Sequence, residues 1–312
     1  MVKPFSIAIH GGAGAFQRKQ MKKEIELSIK KDLERSVLAG HSILKKSGDA
    51  LDAAVEAVRI LEDSPKFNAG RGSVFNNKEI IEMDASVMHG KKMTAGAIAG
   101  VRHIKNPIML ARDVMKKSKH VLLVGEGAEE FAFEHNHQYI KQDYFYTTIQ
   151  YNRLIYMKKR DLFELSDPEY LNNKYGTVGA VALDQQGNLA SATSTGGITN
   201  KRYGRVSDSA LIGSGTVAEN GNVAVSTTGI GEIFIRKMVA SDVAARMRYL
   251  EEDIITASES VIQGDLKSIG GEGGLIAIDA YGNICFSMNT SGMYRASIDI
   301  NGNLIIKIYS DD

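Results

Sequence analysis

A turn pattern that recurs in the second half of this 312-residue chain limits its fold more than any other feature. Residues 179–197 (GAVALDQQGNLASATSTGG) align without gaps with residues 274–292 (GLIAIDAYGNICFSMNTSG), and residues 299–303 (DINGN) repeat the centre of the pattern. Each copy sets an Asp and a Gly-Asn pair between apolar runs, which is typical of the turn of a β-hairpin. The second half is therefore predicted to supply hairpins to a sheet.

The first half alternates between helical and strand patterns. Apolar residues recur every four positions from Ile25 to Val37, which predicts a helix over 22–46, and a second helix is predicted from the N-cap candidate Asp49 to Glu62. Further predicted elements are strands near 7–9, 80–88, 95–103 and 121–124, and helices near 107–118 and 126–134. Strands that alternate with helices indicate a layered α/β arrangement.

Three segments are harder to assign. The first strand runs into residues 10–14 (HGGAG), which are predicted to form an irregular turn because of their glycines. Apolar residues from Ile235 to Met247 predict a helix that begins near Glu232, and another helix is predicted over 253–263. Residues 137–176 are predicted to form a long connection that is either functional or disordered, although its many tyrosines also fit a structured packing surface.

Composition narrows the functional classes. The net charge of +1 and the interspersed charges give no electrostatic basis for binding nucleic acid. The single cysteine, Cys285, excludes an intramolecular disulfide and a cysteine-rich zinc site. No apolar run approaches the roughly 20 residues of a membrane helix, and the first residues favour a strand over a signal peptide. No dinucleotide or P-loop fingerprint is complete. We expect a soluble, cytoplasmic protein.

Thr177 is the strongest candidate nucleophile. It follows Gly176 and precedes an apolar strand pattern, and no histidine occurs between Thr177 and Asp312. A hydroxyl nucleophile needs a base. If the bond between Gly176 and Thr177 were cut, the α-amine of Thr177, with a reference pKa of about 7.7 to 8.0, could serve as that base. The chain would then be a precursor.

Small polar residues and glycines are concentrated after Thr177. Residues 193–197 (TSTGG) and 227–232 (TTGIGE) place hydroxyls and backbone amides where strands end, and such groups can bind a developing oxyanion. Arg205 and Asp208 offer a cation and an anion for a zwitterionic substrate. Each feature alone is commonplace, since such residues also make turns and surface ion pairs. His10 could be a base, but a structural role is the commoner one.

Several stretches together resemble the plant-type (type 2) asparaginases, also called isoaspartyl peptidases, of the N-terminal nucleophile (Ntn) hydrolase superfamily. They lie in order along nearly the whole chain: 9–14 (IHGGAG), 67–72 (FNAGRG), 83–86 (MDAS), 176–181 (GTVGAV), 193–197, 204–209 (GRVSDS) and 228–232. The resemblance implies a four-layer αββα sandwich and autocleavage into an α subunit, 1–176, and a β subunit, 177–312. It also implies hydrolysis of L-asparagine and of β-aspartyl dipeptides.

The resemblance also implies roles for individual residues. Thr177 is the expected nucleophile and base, Thr195 orients it, and Thr228 with the amide of Gly229 forms the oxyanion hole. Arg205 binds the substrate α-carboxylate, while Asp208 and the carbonyl of Gly231 bind its α-amine. No cofactor is expected for catalysis. A structural sodium ion is implied at a loop whose candidate ligands are the backbone carbonyls of Leu61, Glu62, Phe67 and Asn68.

The implied assembly is a dimer of αβ heterodimers that acts on a small-molecule substrate. Ile230 departs from the family pattern, which usually has a polar residue there, and this affects the expected leaving-group preference. Two alternatives stay open. One is a related Ntn hydrolase such as glycosylasparaginase or the threonine protease taspase, and the other is an uncleaved, non-catalytic paralogue that binds an amino acid.

Overall fold

The computed structural model describes residues 4–16, 18–19, 21–160 and 176–312. Its strands are β1 (Ser6–Gly14), β2 (Met83–His89), β3 (Thr94–Val101), β4 (Leu122–Val124), β5 (Val178–Leu183), β6 (Leu189–Thr195), β7 (Thr216–Ala218), β8 (Val223–Gly229), β9 (Gly273–Asp279), β10 (Ile284–Met288), β11 (Gly292–Ile298) and β12 (Leu304–Tyr309). Its α-helices are α1 (Lys23–Lys45), α2 (Ala50–Glu62), α3 (Pro107–Lys117), α4 (Gly125–Glu134), α5 (Thr148–Lys159), α6 (Gly231–Lys237), α7 (Val239–Tyr249) and α8 (Ile254–Glu259).

The strands form two sheets, and the large one draws on both halves of the chain. The large sheet has the order β12-β11-β1-β5-β6-β2-β3-β4, and the small sheet has the order β10-β9-β8-β7. Neighbouring strands are antiparallel except β3 and β4, which are parallel. The strand β5 therefore lies in the middle of the large sheet, between β1 from the first half and β6 from the second.

Apolar side chains divide the molecule into layers. Those of α1 and α2, such as Leu33 and Leu51, pack against the outer face of the large sheet. Those of α7 and α8, such as Val243, cover the outer face of the small sheet. A third cluster, which includes Val181 and Ile276, lies between the two sheets. The order helix, sheet, sheet, helix confirms the predicted αββα sandwich.

The three predicted hairpin turns have one and the same hydrogen-bond design. In the turn between β5 and β6, Oδ1 of Asp184 accepts the amides of Gln186 and Asn188, each at 2.9 Å. The side-chain amide of Asn188 donates to Oδ2 of Asp184 at 3.0 Å. The same three bonds occur around Asp279, between β9 and β10, and around Asp299, between β11 and β12. These local bonds explain why the turns could be predicted.

The helices predicted over 22–46, 49–62, 107–118 and 126–134 are confirmed within one or two residues. Two predictions were wrong in detail. The first strand does not end at His10 but continues to Gly14 through a bulge at Gly11 and Gly12, and its partner throughout is β11. The helix expected from Glu232 to Met247 is broken at Met238, whose φ of 49° is left-handed. The break follows from tertiary contacts, because the carbonyls of Gly213 and Ser214 accept the first amides of α7.

The predicted connection over 137–176 contains a helix within its described residues. The helix α5 occupies Thr148–Lys159, and residues 161–175 lie outside the described part of the chain. The apolar stripe of α5 is weak, because its buried face contains Gln150 and Arg153 beside Leu154. Gln150 donates through Nε2 to the carbonyl of Gly72 at 3.1 Å, so a polar contact replaces apolar packing.

The packing of α1 can be tested with two leucines of the same helix. Leu33 is fully buried, whereas Leu27 is 58% exposed. Leu33→Ala should lower the free energy of unfolding by about 2–5 kcal/mol, because it removes buried methyl groups and leaves a cavity. This loss corresponds to a fall in Tm of at least ~4 °C in thermal unfolding. Leu27→Ala is the control, and equal shifts for the two variants would contradict the assigned burial.

Candidate active site

Thr177 lies where the ends of several strands meet. It immediately precedes β5, and because Val178 pairs with Ser194 on the antiparallel neighbour, Thr177 stands beside Thr195 at the end of β6. Thr228 is the penultimate residue of β8 in the facing sheet. Thr177 is 7% exposed, and the other two threonines are buried. The structure thus brings together three of the residues predicted to act in catalysis.

The bulge in β1 makes room for the peptide that joins Gly176 to Thr177. Gly12 has a φ of 107°, and a Cβ on it would lie 2.4 Å from the Cα of Gly176. A Cβ on Gly176 would lie 2.7 Å from Oγ1 of Thr228. Both positions therefore require glycine, and Gly176 is held between the bulge and Thr228.

Thr228 is oriented by the same bulge. Its Oγ1 accepts the amide of Ala13 at 3.2 Å, so its hydroxyl proton is directed to another acceptor. Gly229 follows as the last residue of β8, and Ile230 donates its amide to the carbonyl of Glu272 at 3.0 Å before α6 begins at Gly231. The predicted oxyanion groups, Thr228 and Gly229, are consecutive residues at this strand end.

Arg205, Asp208 and Gly231 form a charged recess beside these threonines. A Cβ on Gly231 would lie 2.5 Å from Nη2 of Arg205 and 3.0 Å from Oδ1 of Asp208. A Cβ on Gly197, two residues after Thr195, would lie 3.2 Å from Nη1 of Arg205. The predicted substrate-binding residues are therefore neighbours in space, and glycines border them.

Burial shapes the electrostatics of this recess. It raises the pKa of Asp208 to about 6, although nearby Arg205 and the hydroxyl of Thr227, at 3.0 Å from Oδ2, act in the opposite direction. Burial tends to lower the pKa of Arg205, but the hydrogen bonds to Glu232 and the negative charges of Glu232, Asp208 and Asp84 together outweigh this effect, and the pKa is raised. Those bonds join Nε and Nη2 to the two carboxylate oxygens at 2.8 and 3.1 Å. The guanidinium is thus held in a fixed orientation.

Lys201 is a site residue that sequence reasoning missed. It is 2% exposed, and its Nζ donates to the carbonyls of Glu82 and Gly196 at 2.8 and 3.0 Å. Burial lowers its pKa, which Asp84 and Glu82 partly oppose. The ammonium fixes the turn that follows Thr195. No local signal could have identified it, because a lysine in a polar loop is normally exposed.

The loop with the candidate sodium ligands supports the same turn. Asn68 donates through Nδ2 to the carbonyl of Gly197 at 2.7 Å, and its own carbonyl accepts the amide of Gly196 at 3.0 Å. The carbonyls of Leu61 and Phe67 accept amides within the loop, and the carbonyl of Glu62 faces Gly70. Within the described residues, no group of three or more His, Cys, Asp or Glu side chains could hold a metal ion.

The side chain of Glu62 connects this loop to the site. It is fully buried, and its Oε1 accepts bonds from Oγ of Ser194 at 2.6 Å and from the amide of Ile108 at 2.9 Å. Burial raises the pKa of this carboxyl to about 8, with both bonds opposing the shift. Glu62 therefore braces the residue that precedes Thr195.

His10 is buried behind Thr177. Its Nε2 lies 3.0 Å from Oγ of Ser226. Burial lowers the pKa of the ring to about 3, and the nearby backbone of Thr177 opposes the shift in part. The imidazole is therefore neutral at physiological pH and too weakly basic to be matched to proton transfer there.

Known proteins that are similar to this chain identify its family. A family model described as Asparaginase matches residues 2–306. The isoaspartyl peptidase of Escherichia coli K12 is 50% identical over 293 residues, which cover 93% of this chain and 91% of that protein. The isoaspartyl peptidase of Salmonella typhimurium LT2 is 48% identical, with 93% and 94% covered. The isoaspartyl peptidase/L-asparaginase of Xenopus laevis is 41% identical, with 94% and 91% covered.

The match to the family model begins before β1, ends within β12, and includes Thr177 with the residues placed around it above. Since both the matched length and the identity are high, the chain belongs to the plant-type asparaginase family of the Ntn hydrolases.

Proposed function

We propose that this protein cuts its own chain before Thr177 and then hydrolyses the side-chain amide of L-asparagine and of β-aspartyl dipeptides. The observation that carries the proposal is the position of Gly176 and Thr177. Their peptide is enclosed between Gly12 and Thr228, and the recess of Arg205 and Asp208 lies next to it. The names of the relatives, isoaspartyl peptidase and L-asparaginase, support the same chemistry.

In the cleavage step, Oγ1 of Thr177 attacks the carbonyl carbon of Gly176. An ester forms between these two atoms, the bond to the nitrogen of Thr177 breaks, and that nitrogen receives the hydroxyl proton. The hydroxyl of Thr228, which faces Gly176, stabilises the negative charge on the carbonyl oxygen. Water then hydrolyses the ester, which releases the carboxylate of Gly176 and leaves Thr177 with a free hydroxyl and a free α-amine.

In substrate hydrolysis, the α-amine of Thr177 takes the proton from its own hydroxyl, which attacks the side-chain carbonyl of the substrate. Thr228 and the amide of Gly229 stabilise the oxyanion, and Thr195 orients the nucleophile. Ammonia or an amino acid leaves with the proton. Water hydrolyses the resulting ester and releases aspartate. An N-terminal threonine supplies both nucleophile and base, which explains how the site works without a basic histidine.

Substrate recognition depends on Arg205 and Asp208. Nε and Nη2 of Arg205 donate to Glu232, so Nη1 is the nitrogen that faces the α-carboxylate of the substrate. Asp208 and the carbonyl of Gly231 bind the α-ammonium group. A substrate held by both backbone groups presents only its side chain to Thr177, so the scissile amide is on the side chain.

We further propose a cytoplasmic dimer of αβ heterodimers with a structural sodium ion. The single cysteine, Cys285, is buried and free, which suits a reducing compartment. None of the helices in the described ranges is long and apolar enough to cross a bilayer. The loop carbonyls of Leu61, Glu62, Phe67 and Asn68 supply the oxygen chemistry that a hard cation prefers, and the bound ion would rigidify the loop that supports Gly196.

Chain cleavage gives the first test of this function. Intact-mass analysis of the purified protein should show that the 34.0 kDa chain is converted into fragments 1–176 and 177–312. Thr177→Ala should stay uncut because it has no hydroxyl, whereas Thr177→Ser should be cut more slowly. Cleavage of the Thr177→Ala variant at the same bond would show that another group is the nucleophile.

The choice of substrate tests the recess. Arg205→Lys should lower kcat/KM by about 10- to 100-fold, because a lost hydrogen bond to a charged group costs about 1.5–3 kcal/mol. The parent should hydrolyse β-Asp-Leu but not α-Asp-Leu. Arg246→Lys is the control, since Arg246 also pairs with carboxylates but lies on α7. Equal turnover of the two dipeptides would exclude the proposed recognition.

The dependence of kcat/KM on pH tests the assigned protons. Asp208, with a pKa of about 6, must be ionised to bind the substrate ammonium, and the α-amine of Thr177 must be neutral. Both conditions fail as the pH falls, so the slope of log kcat/KM against pH should rise from 1 towards 2 below pH 6. The slope for kcat should stay near 1, because bound substrate keeps Asp208 ionised. His10→Gln should leave the acidic fall of both kcat/KM and kcat in place. Loss of the acidic limb in a folded His10→Gln protein would make His10 the base.

A further inference from the structure

A row of buried residues, most of them with polar side chains, crosses the space between the two sheets directly behind the start of β5. We call this set the intersheet hydroxyl row. On the large sheet its members are register partners of adjacent strands: His10, Gly179, Thr193 and Ser86. On the small sheet its members are the partners Ser226 and Thr216. All of them are buried, so each polar atom depends on the others for hydrogen bonds.

Hydrogen bonds connect the row from end to end. Nε2 of His10 lies 3.0 Å from Oγ of Ser226, which lies 2.7 Å from Oγ1 of Thr193. Oγ1 of Thr216 donates to Thr193 at 2.7 Å and lies 2.8 Å from Oγ of Ser86. At the far end, Oγ of Ser86 lies 2.7 Å from the carbonyl of Ser209, and its one proton is shared between this carbonyl and Oγ1 of Thr216. Ser209 follows Asp208, so the row runs from behind the nucleophile to behind the carboxylate of Asp208.

The glycine in the row shows that the contact between His10 and Ser226 is tightly built. A Cβ on Gly179 would lie 2.0 Å from Oγ of Ser226 and 2.4 Å from Nε2 of His10. Any side chain at this position would occupy the hydrogen bond itself. Gly179 pairs regularly within β5, and its φ is not in the left-handed region that favours glycine. The close approach of the ring and the hydroxyl is the physical reason for glycine here.

The near end of the row reaches Thr177. Gly179, the register partner of His10, is the second residue of β5 and lies two residues after Thr177. The ring therefore packs against the start of this strand, with Nε2 on Ser226 and Nδ1 buried without a hydrogen-bond partner. Because the ring is neutral, one of its nitrogens donates and the other accepts. A ring that is fixed by Ser226 and packed against Gly179 therefore restricts the start of β5, and with it the backbone of Thr177.

We propose that His10, held by Ser226 and the intersheet hydroxyl row, is a positioning residue for Thr177 in both chain cleavage and substrate hydrolysis. The inference rests on the proposed function, because it assumes that Thr177 is the nucleophile. The row fixes the backbone from which the hydroxyl and the α-amine of Thr177 project. Errors of about 1 Å in such a placement can cost 100-fold in rate, so the row matters for kcat. Among the described residues, no hydrogen bond joins the row to Arg205 or to the carboxylate of Asp208, so we expect KM to change little.

The test compares two buried serines between the same sheets. Ser226→Ala removes the hydroxyl that holds His10. Ser191→Ala is the matched control, because Ser191 lies on β6 and donates across the sheets to the carbonyl of Val225 at 2.7 Å, outside the row. Ser226→Ala should lower kcat about tenfold or more and slow the cleavage before Thr177, with KM within about twofold of the parent. Ser191→Ala should keep kcat within about twofold, with a comparable change in Tm.

A second pair of variants guards against misfolding. His10→Gln retains groups that can donate and accept, whereas His10→Leu fills similar volume without them. We expect His10→Gln to recover most of the kcat and of the cleavage rate that His10→Leu loses. If Ser226→Ala behaves like Ser191→Ala, or if His10→Leu is as fast as His10→Gln, the positioning role is wrong.

The readouts also separate this inference from the proposed function. If the parent is cut before Thr177 but hydrolyses neither asparagine nor β-aspartyl dipeptides, the substrate assignment fails. The cleavage rates of the four variants then still decide the role of the row. If the parent is neither cut nor active, the proposed function and the positioning role are both wrong. An active parent whose four variants are equally fast removes only the positioning role.

Discussion

The two sheets are held together by different chemistry at their two ends, and the site depends on this difference. Away from the site, aliphatic side chains such as Val181 and Ile276 fill the space and supply hydrophobic stabilisation. Behind Thr177, the space is filled by His10 and small hydroxyl side chains. Apolar packing tolerates small shifts, whereas hydrogen bonds in a buried row are directional and expensive to leave unmade. The polar end therefore has the better-defined geometry.

The charged groups of the site follow the same logic. Asp208 and Lys201 are buried in a region where an isolated charge is costly. Each is balanced by fixed partners: Asp208 by Arg205 and Thr227, and Lys201 by backbone carbonyls with Asp84 and Glu82 nearby. Groups held by such partners are oriented before any ligand binds. The large apolar cores on the outer faces of both sheets offset the free-energy cost of burying these charges.

Local interactions decided which elements could be predicted. The turns at Asp184, Asp279 and Asp299 make their bonds within five residues, so their sequences predict them directly. The helix α1 shows a regular apolar stripe because one whole face packs on the large sheet. The helix α5 was missed because polar contacts bury part of its face, and the break at Met238 depends on carbonyls more than 20 residues away.

The sequence by itself determined the candidate nucleophile, the hairpins, the main helices and the family resemblance, because each is written in neighbouring residues or in ordered motifs. Only the tertiary structure decided that the hairpin of β9 and β10 joins the small sheet while the other two join the large one. It also decided that Lys201 is buried and that His10 meets Ser226, 216 residues further along the chain. Such contacts form between strands that pair or face one another across the sandwich. They depend on the whole arrangement of layers, which no local pattern specifies.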